Sequence, residues 1–415
     1  MKNAIITFSM LLALQAGAQN LDTVRIMHYN ILKYGFDWAC ASQSAKNNGL
    51  KTIFNAYKPD ILTVNEIEPA TATVELLRTS TLQYEPAMKS TPFSNSNGSD
   101  IANALYYNSD KFGYLGLRAI KGNVRDIDVH RLYYKAATIK GDTLDFWLMV
   151  AHLKAGTSDA AARAETAKDI ATWLTANKGI QRYMIAGDFN VYSSEEQAWK
   201  ILTAGGSPRF IDPEDQLTGW DGPAFALYHT QSPNDKANNS CAVTGGMDNR
   251  FDFILLSPAM ASGTRDISVV DYRVFGNDGV SYNEFLDCND TRSVAAGVCS
   301  ALRRSSDHLP VVMEMTFPKK AGGGGFTDAP FRAEIWGNPA RDNLKVQLDT
   351  DKSSFFNWQI TDVLGRCLEQ GSQLVKTPGE NFILSLPEGI AEGTYFLVLR
   401  NIEDKGVMLK FVVLH

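Results

Sequence analysis

Short apolar runs that each close on a polar or ionisable residue constrain this chain more than any other feature. ILTV leads into Asn65-Glu66, FWLMVA into His152, and MIAG into Asp188-Phe189-Asn190, while Asp307-His308 opens directly into LPVV. Runs this short and this apolar suit strands covered on both faces rather than half-exposed strands or long helices. A chain built this way predicts a layered α/β fold. The residue at each strand end then falls in a loop at one edge of a sheet, where such ends converge on a cleft.

The remaining pattern fills in the layers. Strands are predicted over residues 24–32, 61–64, 104–107, 132–139, 144–150, 183–186, 251–256, 267–275 and 309–315. Tyr106, Tyr107, Tyr133 and Tyr134 read as sheet core. A helix is predicted over 44–58, with Leu50, Ile53, Phe54 and Tyr57 on one face and Pro59-Asp60 ending it. A second runs over 157–177, capped by Thr157 or Ser158 and packed through Ala161, Ala162, Ala167, Ile170 and Leu174. Ser193 and Glu196 have capping-box spacing for the next helix. Residues 281–304 are polar and read as a long surface loop.

The ends of the chain differ from its middle. Residues 1–18 combine Lys2, an apolar stretch and Ala16-Gly17-Ala18, the layout of an export signal with its cleavage site. No cysteine follows, so no lipid anchor is expected, and no other stretch reaches the roughly 20 apolar residues that span a bilayer. KKAGGGG marks a flexible linker, which divides the chain into a catalytic domain over 19–318, a linker over 319–330 and a small all-β sandwich over 331–415. Of the five cysteines, Cys288 and Cys299 form the best local pair, Cys40 with Cys241 a weaker one, and Cys367 is left over. The net charge of −6 argues against a protein that grips nucleic acid by its overall field. Lys33, Lys154, Arg163, Arg303 and Arg304 are candidates to line a groove.

Taken singly, the ionisable residues are ordinary. Together they describe one acidic, histidine-bearing site. Glu66 is a candidate cation ligand. Asp188 and Asn190, two apart on one turn, can both face a substrate. Asp307 beside His308 offers a ligand and an imidazole, which Asp252 can hold in one tautomer. His28 and His130 lie within strands and read as structural, and His229 and His415 carry little signal. An oxygen-rich cluster of this kind holds a hard divalent cation, and phosphate-ester hydrolysis is the chemistry that most often needs one.

The ordered set Asn30, Asn65-Glu66, His152, Gly187-Asp188-Phe189-Asn190, Arg250-x-Asp252 and Ser306-Asp307-His308-x-Pro310 resembles the endonuclease/exonuclease/phosphatase superfamily over roughly residues 24–317. The resemblance implies a four-layer α/β sandwich with two mixed β-sheets face to face. It implies Glu66 as the principal ligand of Mg2+ (or Mn2+), with Asn30 beside it and Asp307 joining, and Ca2+ as a further candidate ion. Asp188 is then the residue that orients or activates water, Asn190 a phosphate donor, His308 with Asp252 the stabiliser of the transition state, and His152 a leaving-group acid. The chain departs from the pattern where the deoxyribonuclease branch has Arg-Glu-Pro. The stretch there reads His130-Arg131-Leu132-Tyr133, with no Glu or Pro, which leaves His152 without its orienting carboxylate and Arg131 as a candidate phosphate ligand.

The last domain, through Asn338-Pro339, Asp362-Val363-Leu364-Gly365-Arg366, Gly393-Thr394-Tyr395 and Lys410-Phe411-Val412-Val413, is similar to the type IX secretion sorting domain. This implies the type IX machinery as a partner, passage through the periplasm, and a secreted or outer-surface location. The expected activity is metal-dependent phosphodiester hydrolysis, with nucleic acid as the leading substrate. A lipid phosphodiesterase such as a sphingomyelinase, a phosphatase of inositol phosphates or nucleotides, and a non-catalytic surface binding protein are the alternatives.

Overall fold

The computed structural model describes residues 21–318 and 331–415, apart from short segments at 37–41, 82–83, 140–141, 205–208, 216–218, 235–241, 264–266, 291–292, 337, 351–352, 364–365, 377–379 and 402–405. The export signal, the glycine-rich linker, Cys40 and Cys241 lie outside the described residues. The chain divides into two compact units, Met1–Lys320 and Ala321–His415.

In the first unit the elements run β1 (Leu21–Tyr34), α1 (Gln43–Tyr57), β2 (Ile61–Ile67), α2 (Thr71–Thr81), β3 (Met88–Ser90), β4 (Ala102–Asn108), β5 (Phe112–Ile120), β6 (Ile127–Ile139), β7 (Asp142–His152), α3 (Ala160–Ala176), β8 (Tyr183–Asp188), α4 (Gln197–Thr203), β9 (Asp252–Leu256), α5 (Pro258–Ala261), β10 (Ser268–Val274), α6 (Ala296–Ser305) and β11 (Val311–Pro318). They build a six-stranded sheet in the order β10-β11-β1-β2-β4-β3 and a five-stranded sheet in the order β5-β6-β7-β8-β9. Both are mixed, because β1 and β2 run parallel, as do β7 and β8, while the other pairs are antiparallel. Their inner faces share one apolar core that includes Val24, Ile26, Leu148, Met184, Ile254 and Met313. A second core lies between the six-stranded sheet and α1, α2 and α6, and a third covers the other sheet with α3 and α4. Burial on both faces explains the unbroken apolar runs.

Several local expectations need correction. The stretch 281–304 is not all loop, because α6 occupies its end and buries Cys299, Ala301, Leu302 and Ser305. The amphipathic stripe is short and interrupted by charge, so the polar composition around it hid it. Cys288 and Cys299 are joined in a disulfide, and Cys367 is free and exposed. The helix expected from Thr157 begins as a 3-10 turn, and α3 has Asp159 at its cap with no side-chain capping bond. Its buried face is Arg163, Ala164, Thr166, Ala167, Ile170 and Leu174, which leaves Ala161 exposed. Ser193 and Glu196 do not form a capping box around α4. Glu196 itself is the cap residue, and its carboxylate is spent on the fully buried Arg163 (2.9 and 3.0 Å) and the Tyr192 N–H (2.8 Å). Arg163 therefore lines no groove.

The second unit holds β12 (Phe331–Trp336), β13 (Asn343–Thr350), β14 (Ser354–Asp362), β15 (Cys367–Val375), β16 (Glu380–Ser385), β17 (Gly393–Asn401) and β18 (Gly406–Val413). They form a three-stranded sheet, β12-β13-β16, and a four-stranded one, β15-β14-β17-β18. Leu344, Val346, Ile360, Leu397 and Phe411 lie in one core. None of the described helices is long and apolar enough to cross a membrane.

Candidate active site

Strand register brings the ionisable residues together. In the five-stranded sheet, His152 pairs with Asp188, and Asp188 pairs with Asp252, which makes one row across β7, β8 and β9. In the six-stranded sheet, Asn30 pairs with Asn65. Both pairings around β2 shift register just past this row. Leu32, Lys33, Glu66 and Asn190 all hold positive φ, between 45° and 61°. Non-glycine residues avoid that region, and a cluster of them marks backbone held in place by its surroundings. Gly187 is required for space, since a Cβ there would lie 2.1 Å from the Ala151 carbonyl oxygen on the neighbouring strand.

Asp188 is the hub. Its backbone N–H donates to Asn65 Oδ1 at 2.9 Å, and Asn65 in turn donates to Asn103 Oδ1 at 2.7 Å. Its Oδ1 accepts the Asn190 N–H at 3.0 Å, closing the turn over Phe189. Its Oδ2 accepts Asn30 Nδ2 at 3.0 Å and lies 3.5 Å from His152 Nε2 and 3.7 Å from His308 Nε2. Burial pushes the carboxyl up to about 7 against the pull of the His308 charge.

His308 is held by Asp252, with Nδ1 2.6 Å from Asp252 Oδ2. Burial opposes its charge, but Asp252 and Asp188 outweigh that and raise its pKa well above the usual value. Burial likewise opposes charge on Asp252, and the His308 charge with bonds from His28 and His308 brings it down to about 2. The pair is therefore imidazolium and carboxylate at neutral pH. Beneath it, His28 Nε2 lies 3.5 Å from Asp252 Oδ1 and its Nδ1 is 3.0 Å from Thr63 Oγ1. This strand histidine is structural, as its position suggested, yet it supports the pair directly.

Asn30, Glu66 and Asp307 complete the oxygen-rich side. Asn30 Nδ2 also donates to Glu66 Oε1 at 3.1 Å, so one amide bridges two carboxylates. Asp307 Oδ2 accepts the Val243 N–H at 2.8 Å, while its buried Oδ1 has no partner among the described residues. Asp188, Asp252 and His308 also present ligand atoms within 4.8 Å of one another. This donor set fits a divalent cation. Oxygen predominates, and the buried Asp307 Oδ1 and Asp252 Oδ1 have no hydrogen bond among the described residues.

The structure places the other expected residues less uniformly. Asn190 is at the site, with Nδ2 donating to the Leu153 carbonyl at 3.3 Å. The His152 Nδ1 is buried and bonded by none of the described residues, while its Nε2 faces the Asp188 carboxylate. Burial, with the Arg125 and His308 charges, keeps its pKa well below the usual value. Arg131 does not join the site. It bonds Asp145 and lies over the Trp147 ring, whereas Arg125, just before β6, donates to the His152 and Leu153 carbonyls at 3.1 and 3.3 Å. Arg125 feels the Glu66 and Asp188 charges, and its buried Nε has no described partner. Lys46 was also missed. It reaches back from α1 to the Leu32 carbonyl, and burial brings it down to about 8 despite the Glu66 and Asp307 charges. Arg250 is structural, since it is buried in a bidentate pair with Asp212 at 2.7 and 2.9 Å and stacked 4.5 Å from the Phe253 ring.

A model described as the Endonuclease/Exonuclease/phosphatase family matches residues 27–308, which span every one of these site residues. The chain belongs to that family. Its members act on phosphoric esters and usually use divalent metals. Residues 334–414 match a secretion system C-terminal sorting domain, which implies the type IX machinery and export toward the cell surface or the extracellular space. No curated protein matches the chain by sequence. Among solved structures, the chain is similar to an endonuclease/exonuclease/phosphatase family protein from Bacteroides thetaiotaomicron (16% identity, TM-score 0.47, 72% of this chain and 98% of that one). It is also similar to the human nocturnin catalytic domain with bound sulfate (17%, 0.47, 71% and 97%) and to the mannosyl-6-phosphatase of Bacteroides thetaiotaomicron VPI-5482 (16%, 0.46, 71% and 100%).

Proposed function

We propose that this protein is an exported, divalent-metal-dependent phosphodiesterase that hydrolyses nucleic acid by attack of water on phosphorus. The observation that carries the reading is Asp188, a buried carboxyl brought up to about 7, set between His308 and His152 and tied through Asn30 to Glu66. A base poised near neutrality can orient water and take its proton. His308, kept charged by Asp252, donates toward the phosphoryl group and stabilises the charge that develops there. Arg125 adds a second fixed positive charge on the same side, and Asn190 a neutral donor. Glu66, Asn30 and Asp307 are the residues that would hold Mg2+ or Mn2+. Bound there, the cation supplies Lewis-acid neutralisation of the phosphoryl oxygens.

The test incubates the full chain with supercoiled plasmid, single-stranded RNA, sphingomyelin vesicles and a phosphate monoester, each with Mg2+ and with EDTA. Metal-dependent cleavage of plasmid or RNA, lost in Asp188→Ala, is the expected result. Release of phosphocholine or inorganic phosphate alone would transfer the reading to a lipid phosphodiesterase or a phosphatase. Inertness on all four would leave a binding protein.

A further inference from the structure

Residues 230–232 belong to no motif, yet they sit against His308. Their backbone is pinned on three sides. The Thr230 and Gln231 N–H groups donate to the Asn249 carbonyl at 2.8 and 3.2 Å, and the Asp248 N–H donates to the Gln231 carbonyl at 3.0 Å. The Leu309 N–H donates to the Thr230 carbonyl at 2.7 Å, and the Ser232 N–H to the Gly246 carbonyl at 2.6 Å. Gln231 thus bridges both Asn249 and His308. Its side chain is half-buried, and its amide nitrogen stands 2.9 Å from His308 Nε2; because that ring nitrogen carries a proton on the imidazolium, the amide must turn so that Oε1 accepts from it and Nε2 is the end left over.

That contact falls on the one ring nitrogen of His308 that a substrate can use. Nδ1 is committed to Asp252. A carboxamide has two polar ends, and only one can meet the imidazole. None of the described residues bonds the other end of Gln231. The amide is therefore fixed at its root, anchored at one tip by His308, and presents beside the reacting centre a second polar group that no described residue bonds. A merely space-filling residue at this position needs neither polar end.

We propose that Gln231 is a substrate-contacting residue of this site. A phosphoryl oxygen takes over the bond to His308 Nε2, and the displaced Gln231 amide donates an N–H to the same phosphoryl group. The inference rests on the site being a phosphoesterase, and its ligand is the phosphoryl group itself, whichever ester carries it. A neutral amide suits the task, because exchanging one hydrogen-bond partner for another costs little. The immobile backbone leaves little reorganisation on binding.

The test uses the full chain with Gln231→Leu, similar in size without polar ends, and Gln231→Glu, similar in shape with a charge that repels phosphate. Binding of inorganic phosphate in the presence of Mg2+ is measured by calorimetry, and kcat and KM on a chromogenic phosphodiester by initial rates. Gln231→Leu should weaken phosphate binding and lower kcat/KM on the order of tenfold, and Gln231→Glu should lower both further. Thermal midpoints should match the parent. If Gln231→Leu fails to fold, Gln231→Glu carries the test. Phosphate binding and kcat/KM unchanged within about twofold, or tighter phosphate binding in Gln231→Leu, would overturn the proposal. Loss of phosphate binding in the variants of a parent that cleaves no diester would keep the contact and discard the phosphodiesterase. A parent that does not bind phosphate would sink both.

Discussion

Replacing Asp252 by Asn removes the charge that holds His308 and leaves the shape almost unchanged. The bond at stake is short, 2.6 Å, fully buried and charge-assisted. Such bonds contribute about 1.5–3 kcal/mol. If that support is present in the transition state, its loss lowers kcat/KM by about 10-fold to 150-fold. Stability should respond in a defined pH window. Asp252 is depressed to about 2, so its contribution is present above the unfolded value near 3.9 and is lost as pH falls through about 2. His308 is raised, so its contribution is complete below the unfolded value near 6.5 and is lost as pH rises through the higher folded value. The pair therefore stabilises most between roughly pH 4 and 6.5. Urea unfolding of Asp252→Asn and its parent should differ most near about pH 5.5 and converge in alkali. Rates on a phosphodiester provide the second readout. A folded variant with parental kcat/KM, or a stability deficit that does not change with pH, would refute the argument that His308 is held as imidazolium.

Arg125→Ala should raise KM for a phosphodiester with little change in thermal midpoint, and Arg125→Lys should not restore it, because an ammonium cannot reproduce the paired carbonyl contacts; steady-state kinetics decide. The Cys288–Cys299 bridge closes a short loop at a sequence separation of 11, and Cys288→Ser with Cys299→Ser should cost about 2.7 kcal/mol by chain entropy, read from chemical denaturation of the reduced-free variant against the parent. His130 is buried in β6 and brought down to about 3, so the unfolded chain binds its proton first as pH drops below about 6.5. Its presence should erode stability toward pH 3, by at most about 1.4 kcal/mol per pH unit, and His130→Gln should flatten that slope. A parent-minus-variant difference independent of pH would count against it.

The layered fold was legible because burial on both faces leaves a local trace. Runs such as those of β2, β7 and β8 are apolar throughout, and the ionisable residue that ends each of them is visible in one dimension. Glu66, His152 and Asp188 stand out for the same reason, since each closes such a run, whereas Asn30 lies inside β1 and Asp252 opens β9. What a strand end faces is not local. Register across β7, β8 and β9 decides that Asp188 stands beside both His152 and Asp252. Only the packing of the two sheets brings Asn30, bonded to Glu66 within its own sheet, to the Asp188 carboxylate. Arg125, Lys46 and Gln231 reach the site from a loop, a helix and a bridge with no apolar run to announce them. Arg131, the arginine that the sequence pattern offers, lies instead on Asp145. The same logic separates the charge states. Asp188 and Asp252 are the same residue type at adjacent strand ends, yet one is pushed up to about 7 and the other down to about 2. Composition names the carboxylates, whereas burial and the distance to His308 set their protonation, and those belong to the tertiary structure alone.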